Sequence, residues 1–147
     1  MSSASYPKAP QDLFGLTVSR RIQAPPEAVF AAWTDPEKFR KWFDTTQLVL
    51  EAEPGKLYFL EVAYDNKLWA HYGRYLRVER PRLVEFTWMS EGTEGKESIV
   101  KVELTPIGEA TDLRIVHSGL PTEKWRKSHL DGWTDIAAAI AAFVEPK

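Results

Sequence analysis

The longest regular pattern in the chain lies in roughly its last thirty residues, after a strand that ends at His117-Ser118-Gly119. Trp125, His129, Trp133, Ile136, Ile140 and Phe143 recur at spacings of three and four, so they share one face of a helix. The pattern predicts a helix from about Thr122 to Val144, roughly 33 Å long at 1.5 Å per residue. Thr122 is placed to cap it, because its hydroxyl can accept a bond from a free first-turn amide. Pro146 lies where a helix stop is expected. Alanines between Ala137 and Ala142 widen the low-polarity face and favour helix. A helix with this much apolar surface needs a broad partner.

Upstream the rhythm is mostly that of strands. Leu13 to Ile22 reads as the first, stopped by Ala24-Pro25-Pro26. Pro26 suits a first helical turn, where its missing N–H costs nothing, and Ala28, Val29, Ala32 and Trp33 give a short apolar face. Asp35-Pro36-Glu37 repeats that start signal for a second short helix carrying Phe39, Trp42 and Phe43. Strands follow at Gln47 to Glu53, ended by Pro54-Gly55, and at Lys56 to Tyr64, with Tyr58, Leu60, Val62 and Tyr64 on one face. Asp65-Asn66 predicts a hairpin turn into Leu68 to Glu79, where Trp69, His71 and Tyr75 share a parity and Gly73 marks an expected bulge or sharp twist. Arg80-Pro81-Arg82 turns into Leu83 to Met89. After a loop over Glu91 to Lys96, Val100, Val102 and Leu104 alternate with polar residues, as do Leu113, Ile115 and His117. Sequential strands joined by short turns imply an antiparallel sheet of about six or seven strands. Segregated helices make the class α+β. Met1 to Asp12 reads as a loose arm, and residues 13–147 as one domain.

Composition narrows the chemistry. A net charge of −2 leaves no electrostatic footprint for nucleic acid. The absence of cysteine excludes disulfides, thiolate metal sites and a Cys nucleophile. No long apolar run or signal-peptide order is present, so the expectation is a cytoplasmic protein without a membrane partner. The six Trp, five Tyr and seven Phe exceed what an ordinary core of this size uses. Tyr and Trp offer an apolar body with one polar tip, which suits sites for aromatic or lipid-like molecules.

The reactive residues form no familiar constellation. His71, His117 and His129 lack metal-ligand spacing, so neither a metal nor a cofactor is expected. Nucleophile elbow, P-loop and dinucleotide fingerprint are all missing. His117 reads either as a core residue bonded to a turn or as a polar ligand contact, and His129 either as pocket lining or as packing. Glu61 lies in an apolar strand run; facing a cavity it would be a candidate acid or base, but the outer, solvated face is the preferred reading. Arg74, Arg77, Arg80 and Arg82 interleave with Glu79 and Glu85 and read as a solvated face. Gly132 interrupts the long helix at a cost of about 1 kcal/mol; its missing side chain admits a neighbouring strand, Trp33 or Trp42, or a ligand, with close packing as the preferred reason.

Five stretches, in order and spacing, resemble a known family. They are Ala24-Pro25-Pro26-Glu27-Ala28-Val29-Phe30, Trp33-Thr34-Asp35-Pro36-Glu37, Lys41-Trp42-Phe43, the run from Val78 to Trp88, and His117-Ser118-Gly119-Leu120-Pro121 with Gly132-Trp133. The sequence is similar to the family named for homologues of the activator of the heat-shock-protein-ninety ATPase. That family lies within the START-related, birch-pollen-allergen-like (SRPBCC) superfamily. The resemblance implies a helix-grip fold, with a curved sheet wrapped round the C-terminal helix and a cavity between them. It also implies functions ranging from hydrophobic ligand binding and polyketide cyclisation to co-chaperone action. The founding co-chaperone carries a second, N-terminal chaperone-binding domain where this sequence has only its short arm, which weighs against a chaperone partner.

The leading expectation is therefore a hydrophobic or aromatic small molecule bound between sheet and helix. Its pocket would be lined by Trp69, Tyr75, Trp88, His117, His129 and Trp133, with Trp42 and Phe43 at the mouth. The alternatives are a cyclase- or hydrolase-type enzyme using Glu61, His117 or a Tyr, and a co-chaperone-like interaction module using the sheet exterior. No catalytic residue, ligand identity or oligomeric state follows from the sequence.

Overall fold

The alternation of inward apolar and outward polar side chains is realised in a computed structural model that describes residues 14–147. The expected arm over Met1 to Asp12 lies outside the described residues. The elements run β1 (Phe14–Ile22), α1 (Pro26–Thr34), α2 (Pro36–Trp42), β2 (Gln47–Val49), β3 (Leu57–Tyr64), β4 (Lys67–Glu79), β5 (Leu83–Ser90), β6 (Ser98–Ile107), β7 (Ala110–Leu120) and α3 (Glu123–Val144). The strands form one curved antiparallel sheet in the order β1-β7-β6-β5-β4-β3-β2. This is the predicted α+β architecture, with two short helices after the first strand and a long one at the end. Among the described residues no helix is long and apolar enough to cross a membrane.

Local chemistry sets the element ends. Pro26 opens α1, and the Asp35 carboxylate accepts the Glu37 amide at 2.9 Å to open α2. The Thr122 hydroxyl accepts the Trp125 amide at 3.1 Å, capping α3 as expected. Asp65 and Asn66 take φ of 54° and 58°, the left-handed pair that a tight hairpin requires.

Two local expectations are corrected. The strand expected over Gln47 to Glu53 stops at Val49, and β3 begins at Leu57. The bulge in β4 falls between Tyr75 and Arg77 rather than at Gly73. Gly73 has a different job. A Cβ there would lie 2.2 Å from the Thr87 carbonyl oxygen, so only glycine admits that approach. The freed Thr87 carbonyl accepts the Tyr58 hydroxyl at 2.6 Å, and the Thr87 hydroxyl accepts the Arg74 amide at 3.0 Å. Side chains thus replace the sheet ladder where it opens.

The inward face of the sheet forms one core with the helices. Val18, Val84, Val100, Val102, Leu113 and Ile115 meet Trp133, Ala137, Ile140 and Ala141 of α3, with Val29, Phe30 and Trp33 of α1. α3 packs closely on β1 and β7. On its flank toward β3, β4 and β5 it stands off from the sheet, and a cavity opens there.

Candidate functional site

Large aromatic side chains on both walls hold this gap open. The cavity measures about 370 Å³. Val62 and Tyr64 reach it from β3, Trp69 and His71 from β4, and Trp88 and Ser90 from β5. Trp125, His129, Gly132, Trp133 and Ile136 reach it from α3, with Ser128, Asp131 and Asp135 at the rim and Phe43 at one end. The period of two along the strands and of three and four along the helix brings these residues to facing surfaces.

Two histidines behind and beside the cavity are locked by tryptophans. His117 is completely buried. Trp133 donates its indole N–H to Nδ1 at 2.9 Å. The Ser98 hydroxyl donates to the Trp88 carbonyl at 2.6 Å, so its oxygen accepts from His117 Nε2–H at 2.8 Å. That chain of bonds assigns a neutral ring protonated on Nε2. Burial, reinforced by His129, holds the His117 pKa well below the usual imidazole value. His129 donates Nδ1–H to the Trp125 carbonyl at 2.7 Å and accepts the Trp88 indole N–H on Nε2 at 3.3 Å. Burial also lowers its pKa, opposed by the bond to Trp125.

His71 differs. Its ring lies against Trp88, with centroids 4.7 Å apart, and its Nδ1 is buried without a hydrogen-bond partner among the described residues. Burial first, and His129 second, push its pKa down to about 4. It is therefore a neutral imidazole on the cavity wall at neutral pH.

Five of the eight expected site residues line the cavity: Phe43, Trp69, Trp88, His129 and Trp133. Trp42, Tyr75 and His117 do not. Trp42 is buried beneath α1, its indole N–H donating to the Ala32 carbonyl at 2.8 Å. Tyr75 packs with Tyr58 and Phe86 around a separate void of only about 20 Å³. His117 faces inward as its parity requires, but Trp133 stands in front of it and uses its free nitrogen. His71, Val62, Tyr64, Trp125, Gly132 and Ile136 are cavity residues outside the expected set. Their signal was present: His71 shares the parity of Trp69, and Trp125, Gly132 and Ile136 lie on one helical face.

Gly132 also departs from the close packing expected of it. A Cβ built there meets no atom within 4 Å. The missing side chain leaves open cavity rather than room for a neighbouring element.

The candidate acids and bases are placed elsewhere or bound. Glu61 pairs with Gln47 and Ala70 on the outer face, where its carboxylate accepts the Thr46 hydroxyl at 2.8 Å. His117 has both nitrogens in use. Burial raises the phenol pKa values of Tyr58 and Tyr75, so both stay protonated. Among the described residues, no three His, Asp or Glu side chains gather in a way that could hold a metal ion. A larger depression on the outer face holds Arg21, Arg77, Lys101 and Arg114. Ion pairs lace it, including Arg21–Asp112 at 2.7 Å, Arg114–Glu103 at 3.7 Å and Arg77–Glu85 at 3.9 Å. Arg82 pairs with Glu79, Arg80 with Glu27 and Arg74 with Glu97, so the arginine-rich turn is a solvated face.

This architecture has known counterparts. The family described as "Activator of Hsp90 ATPase homolog 1-like protein" matches residues 23–145. A crystal structure of a protein from Chromobacterium violaceum shares 26% identity, covers 90% of this chain and 98% of its own, and superposes with a TM-score of 0.80. DynU16, from the dynemicin biosynthetic locus, shares 25% identity over 88% of this chain and 46% of its own, with a TM-score of 0.74. An HSP90 activator from Plasmodium falciparum shares 20% identity over 82% of this chain and 88% of its own, with a TM-score of 0.67. At that identity the likeness is one of fold. No curated protein matches the sequence significantly.

Proposed function

The chain belongs to the Activator of Hsp90 ATPase homolog 1-like family, and on that footing we propose that it binds a hydrophobic or aromatic small molecule between α3 and strands β3–β5. The observation that carries this reading is the cavity itself. Its volume of about 370 Å³ lies within the usual range for small-molecule sites, and its wall surface is mostly apolar, with six aromatic side chains and a set of polar groups. Gly132 supports the reading, because a residue that weakens the middle of a helix by about 1 kcal/mol here meets open space. The His–Trp bonds serve the same end by fixing Trp88 and Trp133 in place. Preorganised walls need less ordering when a guest enters.

N-phenyl-1-naphthylamine, a neutral probe that brightens in apolar surroundings, tests the proposal. Saturable fluorescence enhancement is expected, with quenching of protein tryptophan emission and a probe-dependent rise in melting temperature by mass action. Gly132→Leu, which places a branched side chain in the gap, is expected to remove binding while the far-UV circular dichroism stays unchanged. Absence of saturable binding, or binding indifferent to Gly132→Leu, overturns the proposal.

A further inference from the structure

The polar groups of the cavity are unequal in kind. Three of its four indole N–H donors are spent inside the protein: Trp69 on the Tyr64 carbonyl at 3.2 Å, Trp88 on His129 at 3.3 Å and Trp133 on His117 at 2.9 Å. The acceptors are left over. His71 has a buried nitrogen without a partner among the described residues, and it is neutral at neutral pH, so one of its ring nitrogens is an acceptor. Asp131 and Asp135 stand exposed at the rim, and among the described residues neither is in an ion pair and no Lys or Arg lines the cavity.

The surroundings lean the same way. Lys67 Nζ lies 4.3 Å from the centre of the Trp69 ring, and Lys124 Nζ 5.1 Å from that of Trp125. Two rim indoles therefore already present electron-rich faces to ammonium groups. Lys67 is in turn paired with Glu91 at 2.7 Å. The wider rim thus holds the carboxylates of Asp131, Asp135 and Glu91 against the two lysines.

We propose that the ligand is a protonated amine carried on an aromatic or otherwise hydrophobic body, an inference that rests on the small-molecule reading above. The body fills the space between the indole walls. The ammonium group donates to the free acceptors and supplies the positive charge that the rim carboxylates attract. A carboxylate- or phosphate-bearing guest would set acceptors against acceptors and negative charge against Asp131 and Asp135. A pure hydrocarbon would leave the polar atoms of His71 uncompensated, which costs affinity.

Three probes with one ring system separate these cases by calorimetry at pH 7.5 and low salt: 2-naphthylmethylamine, which is cationic, 2-naphthylmethanol, which is neutral, and 2-naphthylacetate, which is anionic. The amine is expected to bind at least tenfold more tightly than the alcohol, about 1.4 kcal/mol, and the acetate most weakly. The preference should shrink as salt is raised, because the rim charges are exposed. The double variant Asp131→Asn with Asp135→Asn should cut the affinity of the amine at least tenfold and change that of the alcohol far less. Equal binding of amine and alcohol, or tightest binding of the acetate, overturns the charge preference while the cavity reading stands. If none of the three binds, the cavity reading fails and this inference fails with it.

Discussion

Replacing Gly132 by alanine is expected to stabilise the protein, an unusual direction for a change at a binding site. Gly132 lies well inside α3, in ordinary helical backbone, and its neighbours leave an added methyl without a contact within 4 Å. No clash and almost no burial therefore enter the balance. What remains is the helix term: alanine loses less backbone freedom on folding, a gain of about 0.5–1 kcal/mol. For a chain of 147 residues, unfolding entropy of about 0.3 kcal/mol per degree turns 1 kcal/mol into a rise of about 3 °C. Thermal unfolding followed by circular dichroism at 222 nm reads this shift directly. One methyl takes little of a cavity of about 370 Å³, so binding of the naphthylamine probe should fall only a few-fold, far less than in Gly132→Leu. A lowered melting temperature for Gly132→Ala would refute the reasoning, since it would mean that α3 and the sheet meet at this point and that the glycine serves close packing.

Two further outcomes follow from the buried polar groups. His71, His117 and His129 are all held neutral by burial, whereas in the unfolded chain each takes up a proton near pH 6.5. Below that pH the unfolded state binds more protons, so stability is full above about pH 6.5 and declines as pH falls toward the folded-state values. For His71, whose folded pKa is about 4, the loss by pH 5 is about 2 kcal/mol. Urea midpoints at pH 7.5, 6 and 5 should fall in that order and fall less in His71→Phe; a flat wild-type series would contradict the burial argument. Separately, Gly73→Ala should cost about 3 kcal/mol, because its Cβ would drive into the Thr87 carbonyl and displace the Tyr58 hydroxyl bonded there. A cost below about 0.5 kcal/mol in urea unfolding would show that β5 can move aside cheaply.

Much of the fold was legible because its signals are local. The caps at Asp35 and Thr122, the prolines at Pro26 and Pro36, and the left-handed pair Asp65-Asn66 each act within a few residues and sit where expected. The outward position of Glu61 agrees with the preference of charged strand residues for solvent, its parity having left both faces open. Gly73 was misread because sequence offers only the presence of a glycine. Its cause lies in Thr87, a residue on the next strand, whose carbonyl occupies the place of a side chain. The site was half legible for the same reason. Trp69, Trp88, His129 and Trp133 face inward by period alone, and so do Tyr75 and His117. Facing inward does not say whether a side chain meets a space or another side chain.

By itself, then, the sequence determined the order and approximate extent of the strands and helices, β2 excepted, the inward face of most of them, and that aromatic surface would meet between sheet and helix. Periodicity and capping specify these within each segment, through backbone geometry and the removal of apolar area from water. Tertiary structure alone decided which inward polar atoms are spent and where the volume is left. The Trp133–His117 and Trp88–His129 bonds join residues 16 and 41 positions apart. A donor is consumed, or a gap left open, only when elements from distant parts of the chain come to a definite distance. That distance between α3 and β3–β5 separates a sealed His117 from a cavity-lining His71.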